Sequence, residues 1–291
     1  MSTAMALLRT ARPKQWTKNV LVFAAPGAAG VLDNWPHAGQ AMLAFVAFCF
    51  AASGIYLWND AFDVEADRLH PTKRFRPIAA GAVTPGLAKV VGSLLAVAAC
   101  AVAAATGRIE TVGIIALYIG TTLAYSLWLK HVAVVDIVTV ASGFVLRAAG
   151  GAVAVDVAMS QWFVLCTVFG SLFIVTGKRF AEMGEVGDAA PSVRATLADY
   201  SPSFLRLVLT VSCAAALVSY CQWAFDTKEL SGSDTPFYEL SIVPMLTALL
   251  RYALVLDQGR GAAPEEVFAR DRVLQLLGVA WVVTFGLGVY L

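Results

Sequence analysis

What most limits the folds open to this chain is its succession of long apolar runs. They cover residues 19–33, 40–59, 83–106, 110–129, 133–155, 160–178, 203–224, 237–256 and 273–291, and most approach the roughly 20 residues an α-helix needs to cross a bilayer. Backbone groups inside lipid have no water to bond, so runs of this length are expected to be helices packed against one another. With 59% hydrophobic and 14% charged residues, the chain is too apolar for an ordinary soluble domain. The expected fold is an all-α polytopic membrane bundle of about nine transmembrane helices. Residues 1–291 would form one domain around a central cavity open to the cytoplasmic side.

The first run is short and interrupted by Pro26 and Gly27, and the charges decide that it counts as a span. With the N-terminus in the cytoplasm, loops on that side collect all but three of the 21 basic residues, Arg194 among them; Arg108 and Lys228 fall opposite and Arg147 lies inside a span. Such asymmetry orients a bacterial-type cytoplasmic membrane protein with its N-terminus and active site inside and its C-terminus outside. Ala24 to Gly27 make a poor cleavage signal, so the first run is read as retained. A net charge of +1 gives no reason to expect nucleic acid. The five cysteines lie in apolar runs without ligand spacing, and the three histidines stand apart, so no zinc site is expected.

The chemistry gathers where the second run ends, in the stretch N-D-A-F-D-V-E-A-D from Asn59 to Asp67. If the helix continues, Asn59, Asp63 and Asp67 recur on one face, with Asp60 one step round. Carboxylates this close repel unless a cation lies between them, and an all-oxygen set suits magnesium, which keeps waters and binds phosphates. Asn59, Asp60, Asp63 and Asp67 are therefore the candidate metal ligands. The basic run Lys73, Arg74 and Arg76 follows at once. A second polar cluster, G-K-R-F-A-E-M-G-E from Gly177 to Glu185, comes four spans later and could face the first across the cavity. Lys178 and Glu182 there also read as an i, i+4 surface pair, while Lys178 and Arg179 suit phosphate oxygens.

Lys14 and Lys18 share one face of a helical N-terminal segment and serve either lipid anchoring or phosphate binding. Tyr125 and Lys130 sit at the cytoplasmic end of the fourth span, where an aromatic and basic girdle is ordinary. Arg147 is a cation at membrane depth, on one stripe with Asp136 and Gly143, and such a charge is functional by default. The whole pattern suits one lipid and one phosphate-rich compound, since metal and cations neutralise a departing diphosphate. A transporter with an acidic ion gate is disfavoured, because the ionisable residues collect at one membrane face.

These residues resemble the UbiA superfamily of intramembrane transferases, whose signature N-D-x-x-D-x-x-x-D is matched by Asn59, Asp60, Asp63 and Asp67. R-P-I-A-A-G, from Arg76 to Gly81, resembles the family's arginine-proline segment. The second aspartate-rich motif of prenyl diphosphate users is replaced by Lys178, Arg179 and Glu182. That departure, with R-P-K-Q-W-T-K-N from Arg12 and Y-S-P-S-F-L-R from Tyr200, is similar to the polyprenyl-phosphate phosphoribosyltransferase branch. The resemblance implies magnesium-dependent transfer of 5-phosphoribose from phosphoribosyl diphosphate to a polyprenyl phosphate, in a lipid-linked arabinose or cell-envelope precursor pathway. Asp60, Asp63 and Asp67 would be catalytic through the metal. Lys14, Lys18, Asn59, Arg74, Tyr125, Lys130, Arg147, Lys178 and Arg179 would contact substrate. A prenyltransferase acting on an aromatic or other lipophilic acceptor is the alternative. Membrane lipids are expected partners, and a homo-oligomer is compatible with the sequence.

Overall fold

The computed structural model describes residues 2–186, 195–232, 234–261 and 263–291. Arg194 and the side chain of Glu185, both invoked above, lie outside the described residues. Helix α1 (Thr3–Ala11) leads into a 3-10 segment, Pro13–Phe23, continued by α2 (Ala24–Ala28). Then come α3 (Trp35–Phe62), α4 (Val64–Leu69), α5 (Pro85–Ala104), α6 (Ile109–Leu127), α7 (Val135–Ala154) and α8 (Gln161–Val186). The last are α9 (Pro202–Ser231), the single turn α10 (Phe237–Leu240), α11 (Ile242–Asp257), α12 (Pro264–Arg270) and α13 (Arg272–Tyr290). No strand occurs among the described residues.

Among the described residues eight stretches are long and apolar enough to cross a membrane, α10 and α11 counting together as one. The first expected run is not among them. Pro26 and Gly27 interrupt it, and its first ten residues belong to a composite of the 11-residue 3-10 segment Pro13–Phe23 and the five-residue α2. Because a 3-10 helix rises about 2.0 Å per residue, this composite still reaches about 30 Å, near the hydrocarbon thickness. The starts of three long helices are marked by capping residues. Thr84, Ser201 and Asp271 cap α5, α9 and α13 by accepting the N–H of Leu87, Phe204 and Leu274 at 3.3, 3.1 and 3.0 Å, and Pro85 and Pro202 follow two of the caps, where a missing N–H costs nothing. Thr122, Ser171 and Thr284 return their hydroxyls to carbonyls one turn back, which satisfies these three donors within the helix.

The chain forms two compact units, one of Met1–Leu127 with Leu146–Ala158 and the other of Trp128–Val145 with Met159–Leu291, so α7 starts in the second and ends in the first. In the first unit, Val22, Phe48, Ile55, Ile115 and Tyr118 pack with alanines of α3 and α5. Small residues let these backbones meet: a methyl group on Gly54 would stand 2.7 Å from the Gly92 carbonyl oxygen. This is the small-residue contact that helices use when lipid supplies no hydrophobic drive between them. Gly151 of α7 is tighter, with a methyl placed 1.7 Å from the Val22 carbonyl oxygen. Gly151→Ala should push the 3-10 segment away, at a cost of about 2 kcal/mol. A lowered thermal midpoint in detergent checks this. In the second unit α8 and α9 pack together, Phe173, Tyr252 and Leu256 fill one core, and Ile137, Val175, Tyr200 and Leu205 fill another.

Candidate active site

Helix α3 delivers the carboxylate stretch and stops within it. Asp63 leaves helical geometry at φ −88°, ψ 8°, and α4 restarts at Val64. Two backbone bonds flank the break, Asp63 N–H to the Asn59 carbonyl at 2.9 Å and Asp67 N–H to the Asp63 carbonyl at 2.8 Å. The single straight face expected from the sequence is thus replaced by a bend at Asp63.

The loop after α4 is folded back by its apolar residues. Ile78 and Val83 bury against Leu57, Ala61 and Val64, and Arg68 donates to the Ala79 carbonyl at 3.3 Å. This anchoring carries Arg76 to the carboxylates, where its Nη1 meets Asp67 Oδ2 at 2.8 Å and Asp60 Oδ1 at 3.2 Å. From the N-terminal side Arg12 Nη2 reaches the same Asp60 oxygen at 2.6 Å while its guanidinium stacks 4.7 Å over Tyr56. Asp60 and Asp67 are both buried. Arg12 and Arg76 were not among the sequence candidates; the repeated Arg-Pro pair, Arg12–Pro13 and Arg76–Pro77, was the signal that could have found them.

Two of the four candidate ligands, Asp60 and Asp67, are thus paired with arginine. Among the described residues no three His, Cys, Asp or Glu side chains are gathered for a metal. Asn59 Oδ1, however, is buried without a hydrogen-bond partner, and Asp63 lies one turn on. An amide oxygen, a carboxylate and the oxygens of a bound diphosphate fit magnesium, which takes one or two carboxylates plus substrate phosphates and water.

The remaining candidates separate. Lys14 is exposed and Lys18 half-buried, and the 3-10 segment turns residues four apart through about 120°, so they do not share the face expected of an α-helix. Arg74 is exposed and lies 4.9 Å over the Phe75 ring. Tyr125 and Lys130 are half-buried, near the end of α6 and in the turn Leu129–His131. Arg147 is buried, bonding Asn19 Oδ1 at 2.7 Å and Tyr118 Oη at 2.8 Å within the first unit.

In the second unit Asp136, fully buried, receives Arg179 Nε at 3.1 Å and the Tyr200 hydroxyl. Arg179 Nη1 also meets Glu182 at 3.2 Å, while Lys178 lies 3.8 Å from Glu182. Arg179 is only 2% exposed and braces the unit from inside, whereas Lys178 is half-exposed. The Tyr200 hydroxyl accepts the Val134 N–H at 2.6 Å, holding a β-branched residue at φ 69°, a conformation that costs about 1–3 kcal/mol unless its surroundings impose it. Burial, and then the bond to Asp136, push the Tyr200 phenol above its ordinary value. The folded state thus prefers the protonated phenol. Its contribution is complete below the unfolded value of about 10 and falls as pH rises beyond it. The melting temperature should drop more steeply between pH 9 and about 11 in the parent than in Tyr200→Phe.

Residues 20–279 match the profile of the UbiA prenyltransferase family. The chain belongs to the UbiA prenyltransferase family. It is 46% identical over 293 residues to the decaprenyl-phosphate phosphoribosyltransferase of Corynebacterium glutamicum, covering 99% of this chain and 88% of that one. Against the enzyme of the same name from Mycobacterium tuberculosis it is 44% identical over 288 residues, covering 97% and 94%. Among solved structures, a UbiA homologue from Archaeoglobus fulgidus bound to GPP and Mg2+ superposes with TM-score 0.73 at 17% identity, covering 98% of this chain and 99% of that one. That likeness establishes the family's fold for this multi-pass membrane protein.

Proposed function

We propose that the protein transfers 5-phosphoribose from phosphoribosyl diphosphate to a decaprenyl-type polyprenyl phosphate, in a lipid-linked cell-envelope precursor pathway. The observation that carries this is its 46% identity, over 99% of its length, to an enzyme named for that reaction. A phosphate oxygen of the acceptor bonds to the ribose C1 as the C1–O bond to diphosphate breaks, and diphosphate leaves with the electron pair. The acceptor is already an anion, so no strong general base is required. Asn59 and Asp63 would hold magnesium on the donor, and the metal, when bound, neutralises charge on the leaving diphosphate. Lys14, Lys18, Arg74, Lys130 and Lys178 are the solvent-reachable cations for phosphate oxygens, and they lower the barrier chiefly by positioning and charge.

We read the composite segment Pro13–Ala28 as the first crossing, with Lys14 and Lys18 in its cytoplasmic half, Arg74, Lys130 and Lys178 on the cytoplasmic side of the inner membrane, and the C-terminus outside. Polar donor would then arrive from the cytoplasm and lipid acceptor from the bilayer. Calorimetry on purified protein tests the donor. Phosphoribosyl diphosphate should bind with magnesium and at least tenfold more weakly without it. Failure to bind it, with tight binding of a prenyl diphosphate, would replace this reading with aromatic prenyl transfer.

A further inference from the structure

Beside the end of α3 lies a cleft of about 230 Å3, walled by Arg9, Arg12, Thr72, Phe75 and Arg76 with Asp60 at its side. Three guanidiniums face one carboxylate there, and Phe75 gives a flat apolar wall. The arginines are held with unusual insistence. Asp60 takes both Arg12 and Arg76 on a single oxygen at 2.6 and 3.2 Å. Arg12 is also fixed by its backbone, for it sits at φ 53°, ψ 59° immediately before Pro13, a region a non-glycine residue occupies at some cost. Two further bonds close the joint, Trp16 Nε1 to Ser53 Oγ and Ser53 Oγ to the Ala11 carbonyl, each 3.1 Å. Helical register divides the motif accordingly. Asn59 and Asp63 are one turn apart, whereas Asp60, one step round from Asn59, shares Arg76 with Asp67.

We propose that this arginine-walled cleft is a phosphate-monoester subsite that takes the 5-phosphate of the donor, and that Asp60 is a positioning residue holding Arg12 and Arg76 for it rather than a metal ligand. Planar guanidiniums fixed in place bind phosphate through paired N–H donors better than mobile lysines do. A prenyl diphosphate has no second phosphate to place there, so the cleft would select the phosphoribosyl donor. The identity of the phosphate rests on the function proposed above; the existence of the subsite does not.

The test crosses protein variants with donors on purified, magnesium-loaded enzyme. Parent enzyme should use ribosyl diphosphate, which lacks the 5-phosphate, about 100-fold less efficiently than phosphoribosyl diphosphate. Arg9→Gln and Arg12→Lys should each raise the KM for phosphoribosyl diphosphate about tenfold with little change in kcat, and leave the reaction with ribosyl diphosphate unaltered. Ribose 5-phosphate should bind without metal and lose affinity in the same variants, a readout that needs no turnover. Manganese binding followed by electron paramagnetic resonance should change less than about threefold in Asp60→Asn but fall more than about 30-fold in Asp63→Asn. Equal losses on both donors, losses confined to the polyprenyl phosphate KM, or manganese affinity falling alike at Asp60 and Asp63 would overturn the assignment. If Asp60→Asn does not fold, the exposed Arg9→Gln still decides it. An enzyme that binds ribose 5-phosphate through these arginines yet transfers nothing would refute the proposed function and leave the subsite standing.

Discussion

Asp63→Asn should lower phosphoribosyl transfer by about three orders of magnitude without unfolding the bundle. Asp63 lies one helical turn from Asn59, whose Oδ1 is buried without a hydrogen-bond partner, and these two oxygens are the ones proposed to hold a magnesium diphosphate. Losing the Asp63 carboxylate weakens metal neutralisation of the leaving group, a contribution that commonly amounts to several kcal/mol. The bend at Asp63 is held by backbone bonds to Asn59 and Asp67, and asparagine keeps the side-chain shape, so the fold should survive. Initial rates at saturating magnesium, beside a melting curve on the same sample, separate the two effects. Turnover within a few-fold of the parent would remove Asp63 from the metal site.

Asp136→Ala should be the most destabilising single change in the second unit, at about 3–5 kcal/mol. Asp136 is wholly buried and Arg179 nearly so, and their bond is joined by Tyr200 and Thr196. Removing the carboxylate leaves a guanidinium in an apolar interior with Glu182 as its other anion, and an uncompensated buried charge is far costlier than a lost surface pair. Arg179→Met in the Asp136→Ala background should recover part of the loss. Thermal or denaturant unfolding in detergent measures both. A shift under about 1 kcal/mol in Asp136→Ala would mean that the pair does not brace the unit.

Much of this architecture could be read from residue order because lipid restricts the choices so severely. Apolar length placed both ends of α5 and α13 to within two residues and the start of α9 to within one, but α9 runs on to Ser231, well past the apolar run that ends at 224. The first run was the exception: it begins inside a 3-10 segment that starts at Pro13, and apolarity alone carries no sign of a 3-10 path. At the site, Asn59 to Asp67 stood out by spacing. What spacing could not supply was the partners. Arg12 and Asp60 are 48 residues apart, Arg179 and Asp136 43 apart, and only the folded backbone decides which cation sits in a carboxylate and which faces water. Arg179 and Lys178 are adjacent and chemically alike in sequence, yet one is sealed inside and the other half-exposed.

The most direct measurement gives membranes containing the protein labelled phosphoribosyl diphosphate, a polyprenyl phosphate and magnesium, with a parallel reaction offering a prenyl diphosphate and an aromatic acid. The account predicts labelled lipid from the first mixture, dependent on Asp63, and no product from the second. Product only from the second would contradict it.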